Sequence, residues 1–300
     1  MSIININGTI NKNTEVSGVM GATAITGTMS RNASIYANIF LRELLNYCQE
    51  AKALIERMET TPTKGLMDLI DKTILDLKAA GIWDITDMFH KWDLHTPQAS
   101  MLDWKNAIHN ASNVGGSSFI PKRGLETVSY LSHIELNFIP STDCVYASLN
   151  DLAFSIDDIS GITSLGFNFG AKNTANNSYI MYRSRESDAN PRPWLYVNSA
   201  LQRVWNANAG INLYYLERTT PSEIRLYKSA SIMQAGTLNN SVSMINQSLV
   251  LGGYREYNGG VNKSNVQTST LWLGSRMSLE QRTKWYNIIN YWKANLPQTF

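Results

Sequence analysis

Four histidines, two cysteines and a few clustered acids are the residues of this 300-residue chain whose types could do chemistry. His90 and His95 stand five apart, a spacing that puts them on different faces of a helix. No cysteine or third histidine lies at a zinc-ligand distance in sequence from them. His109 and His133 are isolated, so all four read as surface or hydrogen-bonded side chains. Glycoside hydrolysis needs two carboxyl groups on one face, about 5 Å apart in retaining enzymes, which one strand can supply as Glu-x-Asp-x-x-Glu. The nearest approach is Glu186-Ser187-Asp188-Ala189-Asn190-Pro191, where Pro191 takes the place of the second Glu among residues that read as loop. There is no Gly-x-Ser-x-Gly elbow and no phosphate-binding loop. Asp157-Asp158 offers oxygens to a calcium ion but has no spaced third acid. Cys48 sits on an apolar stripe and reads as a small buried hydrophobe, and with Cys144 it cannot make a disulfide framework. The expectation is a chain that is not an enzyme and holds no cofactor or metal. A degenerate glycosidase is the reading that a carboxylate pair in a cleft would restore.

What remains is surface chemistry. Sugars bind by stacking their C–H faces on aromatic rings while amides and carboxylates take the hydroxyls. Aromatics fall near turns at Trp194, Tyr196, Trp205, Tyr254 and Tyr257, with Asn190, Asn206, Asn208 and Asn258 close by in sequence. Trp194, Trp205, Tyr254, Tyr257 and Asn258 are the candidate glycan contacts. The competing reading is that these rings fill a core and the asparagines serve tight turns.

The elements that must position such residues fall into three parts. Residues 1–34 are Gly, Asn, Thr and Ser with lone Ile4, Ile6, Ile10, Val16, Val19, Met20, Ile25 and Met29, too little apolar mass for a core. The segment reads either as a solvated tail or as an arm that adds strands to a partner, its backbone giving affinity and alternate side chains filling pockets. Its low charge, only Lys12, Glu15 and Arg31, favours the arm. Residues 35–105 carry helical periods. Tyr36, Phe40, Leu44, Cys48, Ala51, Ile55 and Met58 make one stripe, and Leu66, Leu69, Ile70, Ile74 and Leu77 a second, capped by Thr63 and closed by Gly81. A short helix is expected near Ile85–Phe89 and another turn at Gln98–Leu102. From 106 the period becomes two, in short runs such as Ser129–Ile139, Cys144–Leu149, Ser178–Arg183, Glu223–Tyr227 and Ser269–Gly274. Many short strands without intervening helices mean an antiparallel sandwich or barrel. A last helix starts at Ser278, with Gln281 near the capping-box position and Trp285, Ile288, Ile289 and Trp292 on one face.

The run Leu226-Tyr227-Lys228-Ser229-Ala230, then Leu249-Val250-Leu251-Gly252-Gly253, then Leu271-Trp272-Leu273-Gly274 and Met277-Ser278-Leu279-Glu280-Gln281 resembles the last third of laminin-G-like, concanavalin-A-like jelly rolls. Arg57, Met58 and Pro62, with Leu77 to Trp83, are similar to a helical module that precedes such domains in bacteriophage virion proteins. The asparagine-rich composition is similar to that of crAss-like phages. The resemblance covers about residues 51–294. Together with the composition and periods above it gives an α+β, mainly β chain: an extended anchoring arm (1–34), a helical spacer or oligomerisation segment (35–105) and a β-sandwich (106–300) closed by a helix. It implies a structural subunit of a virion, a head fibre, decoration or tail-associated protein. Its partners would be other capsid or tail proteins reached through the arm, and copies of itself, as a trimer for example. The alternative from another class is an adhesin for host-surface glycans. A net charge of +2 is too weak a field to suggest nucleic acid, and no apolar stretch approaches the roughly 20 residues of a membrane helix.

Overall fold

A computed structural model describes residues 14–20, 23–29, 44–121, 123–127, 131–159, 167–173, 178–183, 194–199, 203–204, 212–229, 231–237 and 241–297. In chain order the elements are strands β1 (Thr14–Met20) and β2 (Thr23–Met29), helices α1 (Gln49–Ile55) and α2 (Lys64–Ala79), and strand β3 (Thr86–Lys91). A single turn α3 (Pro97–Ser100) leads to β4 (Ser112–Val114), β5 (Ser118–Ile120), β6 (Gly124–Thr127), β7 (His133–Glu135) and a second turn α4 (Pro140–Asp143). Next come β8 (Ala153–Asp158), β9 (Phe169–Lys172), β10 (Tyr179–Arg183), β11 (Trp194–Ser199), β12 (Arg203–Val204), β13 (Asn212–Thr220), β14 (Glu223–Lys228) and β15 (Ser231–Thr237). The chain continues through β16 (Val250–Leu251), β17 (Gly253–Arg255), β18 (Val261–Lys263), β19 (Val266–Gly274) and helix α5 (Leu279–Asn295).

Among the described residues these strands make two large sheets and a separate hairpin. One sheet runs β15-β14-β13-β8-β19-β6-β5, with β3 also paired to β19; the other runs β12-β11-β10-β9-β16-β7-β4, with β17 and β18 attached to β9. Every pairing is antiparallel except the single bridge of β17 to β9. The two sheets share one core. Phe169, Ile180, Tyr182 and Leu251 from one meet Phe154, Ile156, Tyr214 and Leu216 from the other, and the Phe154 and Phe169 rings lie 5.3 Å apart. The chain is therefore mainly β, a two-layer antiparallel sandwich with a helix at its C-terminal end.

A second core lies on the other face of the β8 sheet, under α1, α2 and α5. Period-two alternation sorts the side chains: Tyr214 and Leu216 face the sandwich, Leu213 and Tyr215 face the helices. Both faces of the central strands are covered, which is why β3, β8 and β19 are buried along their whole length. Residues of the expected helical segment thus contribute one strand to this sheet and two helices to its cover. The helix expected near Ile85–Phe89 is a 3-10 turn at Trp83–Ile85 followed by β3. Pairing with β19, from Thr270 opposite Lys91 to Gly274 opposite Thr86, outweighs the local preference. The stripe running on to Met58 forms only the seven-residue α1, and Tyr36 and Phe40 lie outside the described residues. The strand expected at Cys144–Leu149 is a turn instead. The Asp87 carboxylate accepts the amides of Val145, Tyr146 and Ala147 at 2.7, 2.9 and 2.8 Å and takes the donors a ladder would use.

Helix α2 follows its caps, with Thr63 accepting from the Leu66 amide and Gly81 at a φ of 64°. Helix α5 carries a complete capping box between Ser278 and Gln281 and buries Trp285, Ile288, Ile289 and Trp292. Its indoles need partners in a dry core. Trp285 Nε1 donates to Ser155 Oγ at 3.0 Å and Trp292 Nε1 to Asp93 Oδ2 at 3.0 Å. Buried Lys91 joins this seam, donating to Thr270 Oγ1 at 2.7 Å and Asp93 at 3.2 Å.

Strands β1 and β2 form an antiparallel hairpin, Thr14 opposite Met29 and Met20 opposite Thr23. Of the expected anchoring residues, Val16, Val19, Met20, Ile25 and Met29 fall on it, whereas Ile4, Ile6 and Ile10 lie outside the described residues.

Candidate functional site

The hairpin of β17 and β18 carries Tyr254, Tyr257 and Asn258 together. Its entry needs glycine: Gly253 has a φ of 151°, and a Cβ there would lie 2.2 Å from the Asn262 carbonyl oxygen. The turn closes by Glu256 N donating to Gly260 O at 2.7 Å and Gly259 N to Glu256 O at 3.0 Å. Asn258 Oδ1 accepts from the Gly260 amide at 3.1 Å, so that half of its side chain is spent on the turn. Arg255 braces the hairpin from below. Its Nε donates to Ser248 O at 3.1 Å, one terminal nitrogen to Gly259 O at 2.9 Å and the other to Glu135. A turn tied at this many points presents its side chains in a fixed arrangement.

On that frame sits a cluster of rings around a cation. Lys172 Nζ, at the end of β9, lies 5.4 Å from the ring centroids of both Tyr179 and Tyr257, and 4.0 Å from Glu256. Tyr179 is the register partner of Lys172 across β9 and β10. The Tyr254 ring packs edge-on to Phe167 at 4.9 Å, and its hydroxyl donates to Glu256 Oε1 at 2.5 Å while accepting from Asn262 Nδ2. Burial, and then that carboxylate, push the Tyr254 hydroxyl up to about 12, so it stays a donor at neutral pH. Tyr257 is 51% exposed, the open ring of the group. The arrangement offers a flat apolar face, an amide, a hydroxyl and one ammonium on a common surface. Of the other glycan candidates, Trp194 stands on β11 in register with Arg183, and Trp205 lies outside the described residues. The periodicity gave no sign of Lys172, Tyr179 or Phe167, because segments distant in sequence bring them to the hairpin. The Glu-Tyr-Asn-Gly-Gly turn between short strands was the one local signal.

The residues first weighed for chemistry are engaged elsewhere. His90 is fully buried and stacked on Trp92 at 5.5 Å. Burial, partly opposed by the Leu102 backbone, holds it down to about 3. His95 Nε2 lies 2.8 Å from Thr60 O, His109 Nδ1 2.7 Å from Asn137 O and His133 Nε2 2.8 Å from Glu135. Asp157 takes Lys293 Nζ at 2.6 Å and the Ser269 hydroxyl, and Asp158 accepts from Asn168 at 2.9 Å, so both carboxylates have protein partners. The Glu186–Pro191 stretch lies outside the described residues. Cys144 is largely buried and desolvation raises its thiol well above the ordinary range; Cys48 sits at the N-cap of α1 and rises to about 11 for the same first reason. A concavity of about 490 Å³, away from the hairpin, opens at the start of α5. It holds three arginines, each against an acid: Arg225 with Glu223 at 3.0 Å, Arg276 with Asp151 at 3.6 Å and Arg282 with Glu217 at 3.2 Å. Of these acids Glu217 lines the concavity, and Glu223 and Asp151 pair with its arginines from outside the lining.

No protein-family model and no curated protein matches the sequence. Among solved structures the chain is similar to domain 4 of AbnA, an extracellular GH43 arabinanase from Geobacillus stearothermophilus in complex with arabinotriose. The identity is 14% and the TM-score 0.45, over 66% of this chain and 97% of that one. It is also similar to the binding domain of botulinum neurotoxin serotype D, at 11% identity and a TM-score of 0.45, over 69% of this chain and 52% of that one. A mutant sialidase of Trypanosoma rangeli with trans-sialidase activity aligns at 12% identity and a TM-score of 0.43, covering 75% of this chain and 40% of that one. The chain thus spans about half the length of the toxin binding domain. The assignment to a β-sandwich rests on the strand register and the shared core described above.

Proposed function

We propose that this chain is a carbohydrate-binding β-sandwich module that acts by recognition rather than catalysis, with the β17–β18 hairpin as its contact surface. One observation carries the reading. Tyr257 presents an exposed ring beside Lys172 and Tyr254, on a turn braced by Arg255. An exposed aromatic held rigidly loses little entropy on binding, which is what a weak, stacking-dominated ligand such as a sugar needs. The test is a glycan array followed by titration of the strongest hit. Tyr257→Ala should weaken that hit by about 1 to 2 kcal/mol, roughly tenfold, without lowering thermal stability. Silence across the array, or full affinity in the variant, would remove this reading.

A second reading is that the chain is a structural subunit of a phage particle, anchored by its N-terminal arm and displaying the sandwich. The observation that favours it is the β1–β2 hairpin, whose strands among the described residues pair only with each other. Such a hairpin keeps two outer edges open for strand addition by another virion protein.

A further inference from the structure

We infer that the hairpin surface selects sugars bearing a carboxylate, with Lys172 as the residue that reads the acid; this rests on the carbohydrate reading above. The Lys172 ammonium is enclosed by two tyrosine rings, Tyr179 and Tyr257, at 5.4 Å each, and its side chain is 22% exposed. Its acidic neighbour is Glu256, at 4.0 Å, the edge of ion-pair range. Glu256 is also committed to a second partner, the Tyr254 hydroxyl at 2.5 Å. Lys172 is therefore held in place chiefly by rings, which attract a cation through their faces but do not neutralise it. The surroundings add to the positive sign. Arg183 lies over the Phe167 ring at 5.5 Å, Arg255 braces the turn, and Lys263 is the register partner of Gly253 across the hairpin. Among the described residues the acids of this group are Glu256 and Glu135, and Glu135 is bound by Arg255.

The geometry joins two functions in one place. A pyranose stacked on the open part of Tyr257 has its ring substituents within reach of the ammonium over that same tyrosine. A neutral sugar would gain the stacking alone. A uronic or sialic acid would gain a charge-assisted contact as well, worth on the order of tenfold in affinity at a partly exposed site. The attraction should weaken with salt, because the pair faces water.

The experiment titrates the full chain with four probes, two acid–neutral pairs, at low salt. They are a galacturonate oligomer, the same oligomer with its carboxyls reduced to alcohols, and sialyllactose beside lactose. The expected result is that at least one acid form binds about tenfold more tightly than its neutral partner. Lys172→Met should abolish the ratio between the acid form and its neutral partner, while Lys172→Arg keeps it. The two acids separate the sources: galacturonate preference points to a uronic acid polymer and sialyllactose preference to sialylated chains. If acid and neutral forms bind equally, and Tyr257→Ala weakens both, the acid selectivity is wrong and the carbohydrate reading stands. If no probe binds and the array is silent too, both fall together. A preference that persists in a folded Lys172→Met variant also overturns the assignment of Lys172.

Discussion

His90 stands on β3 with its ring against Trp92, in a layer closed to water on both sides. Placing a charge there is expensive, so burial holds its folded value at about 3 against an ordinary 6.5. The sign follows directly. A group whose folded pKa is depressed adds stability above its unfolded value and loses it as pH falls toward the folded one. His90 should therefore cost the protein about 1.4 kcal/mol per pH unit from 6.5 down toward 3. Asp103, which accepts the Phe89 and Lys105 amides, is pushed by burial up to about 7 and works in the opposite sense. Its contribution is full below about pH 4 and is lost as pH rises to 7. Between pH 4 and 6.5 the two offset, so wild type alone shows a shallow profile. Urea unfolding of His90→Leu beside wild type separates them: the variant should gain on wild type as pH falls through this window. Parallel curves would show that His90 is already charged or already wet.

Helix α5 is fixed to the sandwich by its aromatic face more than by its charges. Trp285 is fully buried, 5.6 Å from Phe89 and 5.9 Å from Trp272, with its N–H on Ser155. Removing that side chain leaves a cavity against two rings and takes one of two partners from the Ser155 hydroxyl, which still donates to Tyr214 O at 2.8 Å. Trp285→Ala should destabilise the protein by roughly 3 to 5 kcal/mol in chemical denaturation. A melting curve that does not move would mean that the helix is peripheral to the fold. The exposed ion pair Lys284–Glu280 on the same helix should add little to stability, since both ends lie in water.

At the scale of the whole molecule the core has two floors. One lies between the sheets and the other between the β8 sheet and the helices. Among the described residues both floors are built between Leu44 and Leu296, which sets the expectation for a truncation. A chain beginning at Ser34 should therefore stay folded, with its melting temperature within a degree or two of the full chain; on the proposal of a virion subunit anchored by its arm, it should also fail to enter the particle. Normal incorporation of the truncated chain would assign anchoring to another surface. A trimer or dimer that survives the deletion would place self-association in the helices or the sandwich.

Periodicity and capping chemistry settled the elements that answer to local rules. The α2 stripe from Leu66 to Leu77, its Thr63 cap and its Gly81 end are all readable from neighbouring residues, and so are the Ser278–Gln281 box and the Trp285 to Trp292 face. The class followed too, because alternating runs between turn residues have few other solutions. The sequence could not show that β3 leaves a helical neighbourhood to join β19, since strand pairing is decided by the partner and not by the residues Thr86 to Lys91 themselves. It missed the burial of β8 and β19 for a related reason: Ser155, Asp157, Ser269 and Thr270 look solvent-facing until α5 covers them and supplies Trp285 and Lys293, and β3 supplies Lys91. The candidate site divides the same way. Tyr254, Tyr257 and Asn258 share one turn and were visible together, whereas Lys172 and Tyr179 reach them only because β17 attaches to β9, a contact that exists in space and nowhere in the local pattern.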